Sequence, residues 1–210
     1  MKPSLLLKAI PAINRGSFSI DEFALTAGLG KRIATDLVRF LAINEIGEIH
    51  STQIEFGPSD KIQASLLAMQ MGADTEDVSQ LLNWKYFEVL ATSLLSGNGY
   101  ITKHGFRLKR PRLEIDVVGI KDSMALLIDC KHWRRSSLST LKKFASMQVQ
   151  RAKAFLAVDN NVGYAIPVIL TLHSESTVFA NNIPVVPITK FRSFLNDITG
   201  YFDDIKIVYA

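Results

Sequence analysis

Apolar and polar positions divide this chain into two parts. In residues 1–73 the apolar residues recur at helical spacing. Phe23, Ala24 and Ala27 share one face of a first helix, and Ile33, Leu37, Phe40 and Leu41 share one face of a second. Ser19 and Glu22 form a capping box that opens the first helix, and Gly28-Leu29-Gly30 breaks the chain between the two. Residues 45–49 and 53–56 read as a turn and two short strands. Ser59 then caps a helix from Asp60 to Met71 that Gly72 ends.

Beyond the boundary placed at residues 73/74 the pattern changes. A helix is expected from residue 75 to Ser96, with Leu81, Trp84, Phe87, Glu88, Ala91, Leu94 and Leu95 on or beside one face. Glu88 is the odd member, because a carboxylate on an apolar stripe is costly without a partner. Tyr100 to Leu108 reads as a strand, and Leu113 to Trp133 as two more joined by the polar turn Lys121-Asp122-Ser123. A helix from about Leu138 to Val158 follows, with Leu141, Phe144, Ala145, Gln148, Ala152 and Phe155 along one face. Tyr164 to Leu172 is apolar enough for a buried strand, but Pro167 suits a bulge or a place near the sheet edge. A short strand (183–188), a helix from Thr189 to Phe202 and an edge strand (205–209) complete the chain. Residues 74–210 are therefore expected to form a mixed α/β sheet flanked by helices.

The candidate chemistry lies in the second and third of these strands. With a period of two, Glu114 and Asp116 share a face of one, and Asp129 and Lys131 share a face of the other. Antiparallel pairing gathers three carboxylates and a lysine at one end of an apolar sheet. Carboxylates that close repel one another unless a cation sits among them, and oxygen-only donors suit Mg²⁺ or Mn²⁺. A lysine beside such an ion can orient water or stabilise charge on a phosphate, which is phosphodiester hydrolysis in outline. Cys130, the single cysteine, falls on the opposite, inward face and reads as a packed thiol.

Charge adds a second signal. The chain carries +4 overall. Residues 101–153 contain thirteen basic and four acidic residues, so this window is +9 and the remainder −5. A basic field around an acidic site fits an enzyme acting on a polyanion, with Lys103, Arg107, Lys109, Arg110, Arg112, Arg134 and Arg135 holding backbone phosphates. Residues 1–73 are almost neutral. Leu5-Leu6-Leu7 is too short for the core of a secretion signal, and no apolar run approaches the ~20 residues of a membrane span. A soluble, cytoplasmic protein is the expectation, with DNA as partner, no membrane association, and a homodimer left open.

The spacing Asp116-(x12)-Asp129-x-Lys131, in the text EIDVVG followed by LIDCKHW, resembles the PD-(D/E)XK restriction-endonuclease-like superfamily, and within it the Mrr-like and archaeal nucleases. The resemblance covers roughly Trp84 to Val186. The proline of the family's name is absent before Asp116, and aspartate stands at 129 where glutamate is commoner. The resemblance implies a metal-dependent endonuclease in which Asp116 and Asp129 ligate Mg²⁺ or Mn²⁺ with the main-chain carbonyl of Cys130. Glu88 is a further ligand on this reading, Lys131 positions the attacking water, and Gln148 faces the site from the following helix. Residues 1–73 resemble a winged helix-turn-helix with Lys31, Arg32 and Arg39 toward DNA. Two rival readings are a non-catalytic DNA-binding protein retaining the nuclease fold, and an assembly subunit that dimerises through its helical module.

Overall fold

In the computed structural model, residues 1–131, 137–172 and 178–210 are described, and they form two units, Met1–Asn83 and Trp84–Ala210. The first opens with α1 (Pro3–Ala9), whose proline occupies the first turn, where its missing N–H costs nothing. Strand β1 (Gly16–Ser19) leads into α2 (Ile20–Ala27). The capping box is present there. Ser19 Oγ accepts the N–H of Glu22 at 3.2 Å, and the Glu22 carboxylate accepts the N–H of Ser19 at 2.8 Å. Gly28 ends α2 in the left-handed conformation, and Gly30 caps α3 (Lys31–Ile43). Strands β2 (Glu48–His50) and β3 (Gln53–Phe56) make a hairpin, and β1 pairs with β3 on its other side. Helices α4 (Asp60–Gln70) and α5 (Thr75–Gln80) follow. Phe23, Leu37, Leu41, Ile54 and Phe56 are buried in this unit.

The expected boundary at 73/74 falls ten residues too early. Asp74 caps α5 as its sequence suggests, accepting the N–H of Glu76, but α5 stops at Gln80 instead of running to Ser96. Val78 and Leu82 are buried with the first unit, so the chain breaks at residues 81–83. A separate helix, α6 (Trp84–Gly97), starts the second unit, and Trp84 at its first position is exposed rather than part of the apolar face.

The second unit is a mixed sheet between helices. Strands β4 (Ile101–Lys109), β5 (Arg112–Lys121) and β6 (Met124–Lys131) run antiparallel. Helix α7 (Leu138–Leu156) then crosses over to β7 (Tyr164–Thr171), which is parallel to β6. Strands β8 (Phe179–Ala180) and β9 (Ile183–Pro187) extend the sheet, with β9 beside β7 and β8 outside it, followed by α8 (Ile188–Asn196) and β10 (Val208–Tyr209), which pairs with β7. The last helix thus ends six residues short of the expected Phe202. Alternate residues of β6 face opposite layers, as its buried run requires. Leu126 and Ile128 pack with Phe87, Ala91 and Leu95 of α6, while Ala125 and Leu127 pack with Ala152 and Phe155 of α7.

Pro167 stands in the middle of the sheet, opposite Leu127 of β6, and not near an edge. Its missing N–H is tolerated because the other side of β7 changes partner there. It pairs with β10 at Tyr164 and Ala165 and with β9 only from Ile169 onward.

One position bends the β4–β5 ribbon. The register between the strands passes from His104↔Val117 to Phe106↔Ile115, and the intervening pair, Gly105 and Asp116, is left out of the ladder. Gly105 has φ +61° there, and no atom lies within 4 Å of where a Cβ would stand. Replacing Gly105 with alanine therefore meets no steric obstacle, only the left-handed backbone. It is expected to lower stability by about 1 kcal/mol in urea unfolding, and a cost of ~3 kcal/mol or more would mean a packing role instead.

Candidate active site

The site forms where the sheet forks. The β5–β6 ladder runs from Lys121↔Met124 to Val117↔Ile128 and stops. The next opposed residues, Asp116 and Asp129, lie just outside it, so Asp116 is out of the ladder on both sides. Its carboxylate makes up part of the loss, with Oδ2 accepting the main-chain N–H of Cys130 at 2.8 Å. Burial pushes the Asp116 carboxyl up to about 6, and the neighbouring Asp129 and Glu88 push the same way. The Cys130 N–H and the Lys131 charge oppose them.

Asp129 is 1% exposed. Its Oδ1 accepts from Arg151 Nη1 at 2.9 Å, and the Lys131 ammonium lies 2.8 Å from Oδ2. That second contact is an ion pair without hydrogen-bond alignment, and Oδ2 accepts no hydrogen bond among the described residues. The Lys131 ammonium also lies 4.4 Å from the centre of the Phe144 ring.

Gln148 is fully buried, and its polar atoms are spent. Nε2 donates to the carbonyls of Leu127 and Val168 at 2.9 and 3.0 Å, and Oε1 accepts from Arg151 Nη1 at 3.0 Å. It therefore clasps β6 to β7 and seats Arg151. It offers no open amide to a reactant, so the role expected for it becomes one of positioning.

Glu88 is bonded to His104 Nε2 at 2.9 Å, which supplies the partner its place on an apolar stripe calls for. Its charge reaches Asp116 and Cys130. Among the described residues, however, no three histidine, cysteine or carboxylate side chains gather closely enough to hold one ion. Glu88 is thus not assembled with the two aspartates as the expected ligand. Cys130 is half-buried against the α6 layer, and burial, with the nearby carboxylates, holds its thiol well above the usual range. It is a packed thiol.

Arg151 is the site residue that sequence reasoning did not single out. The signal was its place three residues after Gln148, on the same face of one helix. His104 is the second, one strand away from the carboxylate it bonds.

The basic residues are placed unevenly. Lys109, Arg110 and Arg112 are exposed around the β4–β5 turn. Arg107 forks onto Glu114 Oε1 through Nε and Nη2, both at 3.1 Å, and Lys103 pairs with Asp159 at 3.3 Å. In the first unit Lys31 pairs with Asp21 at 2.9 Å, and Arg32 and Arg39 are exposed. His132, Trp133, Arg134 and Arg135 lie outside the described residues. No helix among the described residues is long and apolar enough to cross a membrane.

No family model matches the chain. An uncharacterized protein of Archaeoglobus fulgidus is 28% identical over 124 residues, covering 57% of this chain and 95% of its own length. Among solved structures, a protein of unknown function aligns with a TM-score of 0.38 at 22% identity, over 47% of this chain and 52% of the other. A Vibrio cholerae protein aligns with a TM-score of 0.44 at 11% identity, over 96% of this chain and 51% of the other. The chain thus spans about half the length of each solved protein. Its second unit is of the mixed α/β class, a large sheet flanked by helices.

Two outcomes are expected at this site. Arg151→Met removes one partner of a buried pair and should cost about 3–5 kcal/mol. Combined with Asp129→Asn, the loss should fall well short of the sum of the two single losses. A double-mutant cycle in urea reads this coupling, and additivity would show the pair to be energetically idle.

The second outcome concerns pH. The Asp116 carboxyl titrates near 6 in the folded chain against an unfolded reference of 3.8, so the folded state binds this proton more tightly. The stability it contributes is full below the unfolded value and is lost as pH rises through about 6. Asp116→Asn should therefore stabilise the chain in EDTA at pH 7 by on the order of 2 kcal/mol, and the gain should vanish near pH 4. Equal stability of the two proteins across that range would contradict the assignment.

Proposed function

We propose that the protein is a metal-dependent endonuclease of the PD-(D/E)XK type, acting on DNA. The observation that carries this reading is the fork, where two opposed aspartates leave the ladder together and a lysine two residues along points at the second of them. The order helix, three antiparallel strands, crossover helix, parallel strand supports it, because this arrangement puts acid, acid and lysine at one end of a buried sheet.

A magnesium-sized ion fits these donors. Mg²⁺ is commonly held by one or two carboxylates with water filling the remaining positions, so a third acid is not required. Asp129 Oδ2 accepts no hydrogen bond among the described residues, and burial, with the charges of Asp129 and Glu88, drives Asp116 toward protonation. Both are features that a cation would relieve. Asp116, Asp129 and the main-chain carbonyl of Cys130 would hold it. When bound, the ion would polarise the phosphate and lower the cost of charge at the reacting phosphorus.

The chain's own residues do the rest. Arg151 and Gln148 fix Asp129 from behind the strand. Lys131 orients the attacking water and stabilises negative charge as it develops on the phosphate oxygens. Glu88, held by His104, keeps the field at Asp116 negative without taking a ligand position.

The first unit supports a winged helix-turn-helix role through its order α2, tight turn, α3 and hairpin, with β1 beside the hairpin. Helix α3 carries Arg32 and Arg39 on its surface for DNA. The hairpin itself does not suit phosphates, because His50 sits between Glu48 and Glu55. The recognition role on this reading belongs to α3 alone.

Cleavage of plasmid and oligonucleotide DNA with Mg²⁺, Mn²⁺ or EDTA tests the proposal. Lys131→Met is expected to slow cleavage by about 10²-fold or more while DNA binding in EDTA survives. Asp116→Asn should lower Mg²⁺ affinity by calorimetry. Near-normal cutting by the Lys131 variant would defeat the active-site assignment, and no metal-dependent cleavage of any DNA would defeat the nuclease reading.

A further inference from the structure

The outer half of the β4–β5 ribbon has a construction that neither the fold nor the proposed chemistry demands. Beyond Val117 the ribbon no longer pairs with β6, so residues 106–115 form two strands and a turn on their own. Cross-strand pairing sorts their side chains onto two faces. Phe106 opposes Ile115 and Leu108 opposes Leu113, which makes one face apolar. That face is anchored, with Ile115 and Leu108 buried and the Phe106 ring edge-on to Phe155 of α7 at 5.3 Å. Arg107 opposes Glu114 and Lys109 opposes Arg112, which makes the other face charged, and Arg110 at the turn adds a fourth cation. The Arg107 and Glu114 side chains are 77% and 51% exposed. A short ribbon bound on its apolar side therefore presents four cations and one carboxylate to solvent.

We propose that this ribbon is the docking element for nucleic acid and that its ligand is B-form duplex DNA, with the charged face in the major groove. The inference rests on the nuclease reading above and narrows its substrate. The B-DNA major groove is about 12 Å wide and admits a two-stranded β-ribbon. From the Lys109–Arg112 pair to Asp116 is four strand residues, roughly 13 Å at ~3.3 Å each. A ribbon lying in the groove thus brings the fork to the bordering phosphates. Single strands are favoured by exposed aromatic platforms, and the ribbon's one aromatic ring, Phe106, is turned onto α7. Duplex RNA hides its major groove in a deep, narrow cleft that side chains cannot read.

Anisotropy with the full chain in EDTA tests this, using a 25-base-pair duplex DNA, the same sequence as duplex RNA, and one DNA strand. The wild type should bind duplex DNA at least tenfold more tightly than the other two. It should also protect guanine N7, a major-groove atom, from methylation by dimethyl sulfate. Combined Lys109→Ala, Arg110→Ala and Arg112→Ala should weaken duplex binding by tenfold or more at low salt, reduce the log–log salt slope by about 2–3, and abolish the N7 protection. Glu114→Gln, which removes the face's one negative charge, should bind severalfold more tightly, a gain that misfolding does not produce. Equal or tighter binding of single strand or duplex RNA, unprotected N7, or unchanged affinity in both variants would overturn the proposal while leaving the nuclease reading standing if DNA is still cut. Absence of any nucleic-acid binding at low salt would overturn both.

Discussion

A carboxylate buried at the end of a central strand governs how this second unit is put together. Taking Asp129 out of water costs several kcal/mol unless opposite charge meets it inside. The fold meets it with Arg151, which reaches across from α7. Arg151 is held in turn by Gln148, and Gln148 donates to main-chain carbonyls on both β6 and β7. One chain of hydrogen bonds therefore runs from the acid through the crossover helix back into the sheet that carries the acid. Helix position, strand pairing and the charge at the fork are not independent features. A change at any one of them is felt at the others.

Much of this was legible in the residues, for reasons that can be named. The period-two reading of residues 113–131 put Asp129 and Lys131 on one face and Cys130 on the other, because a strand has no freedom to do otherwise. The capping box at Ser19 and the turn at Gly28 depend on neighbours two to four residues away, and local chemistry fixed them. The failures are nonlocal. Whether the helix pattern after Asp74 continues through residues 81–83 depends on which unit buries Val78 and Leu82. Pro167 was misplaced because its tolerance comes from an exchange of partner strands along β7. Gln148 was found, but its use was not, since the carbonyls it satisfies belong to strands 20 and 21 residues away. Glu88 was marked as needing a partner, and His104, 16 residues on, supplied it.

The two units divide charge between them in a way that bears on any encounter with a polyanion. The first, with seven basic and ten acidic residues, is net −3, pairs Lys31 with Asp21, and places Glu48 and Glu55 on its hairpin. The second concentrates cations around the fork and along the β4–β5 ribbon. Long-range attraction therefore acts mainly on the second unit.

At the fork itself, the two cations on Asp129 are not equivalent, and the difference separates scaffold from chemistry. Arg151 is a planar donor with a second anchor on Gln148, and it makes an aligned bond to Oδ1. Turning it away would leave a buried carboxylate oxygen and a buried amide oxygen without their donor. Lys131 is a point charge on a flexible stem, 17% exposed, and it touches Oδ2 without hydrogen-bond alignment. Its ammonium also rests over the Phe144 ring, a contact that survives a change in the direction of its N–H bonds. Of the two contacts to Asp129, the lysine's is therefore the one without hydrogen-bond alignment among the described residues. The arginine contact to Asp129 is aligned and anchored twice, and the lysine contact is an ion pair on the other carboxylate oxygen.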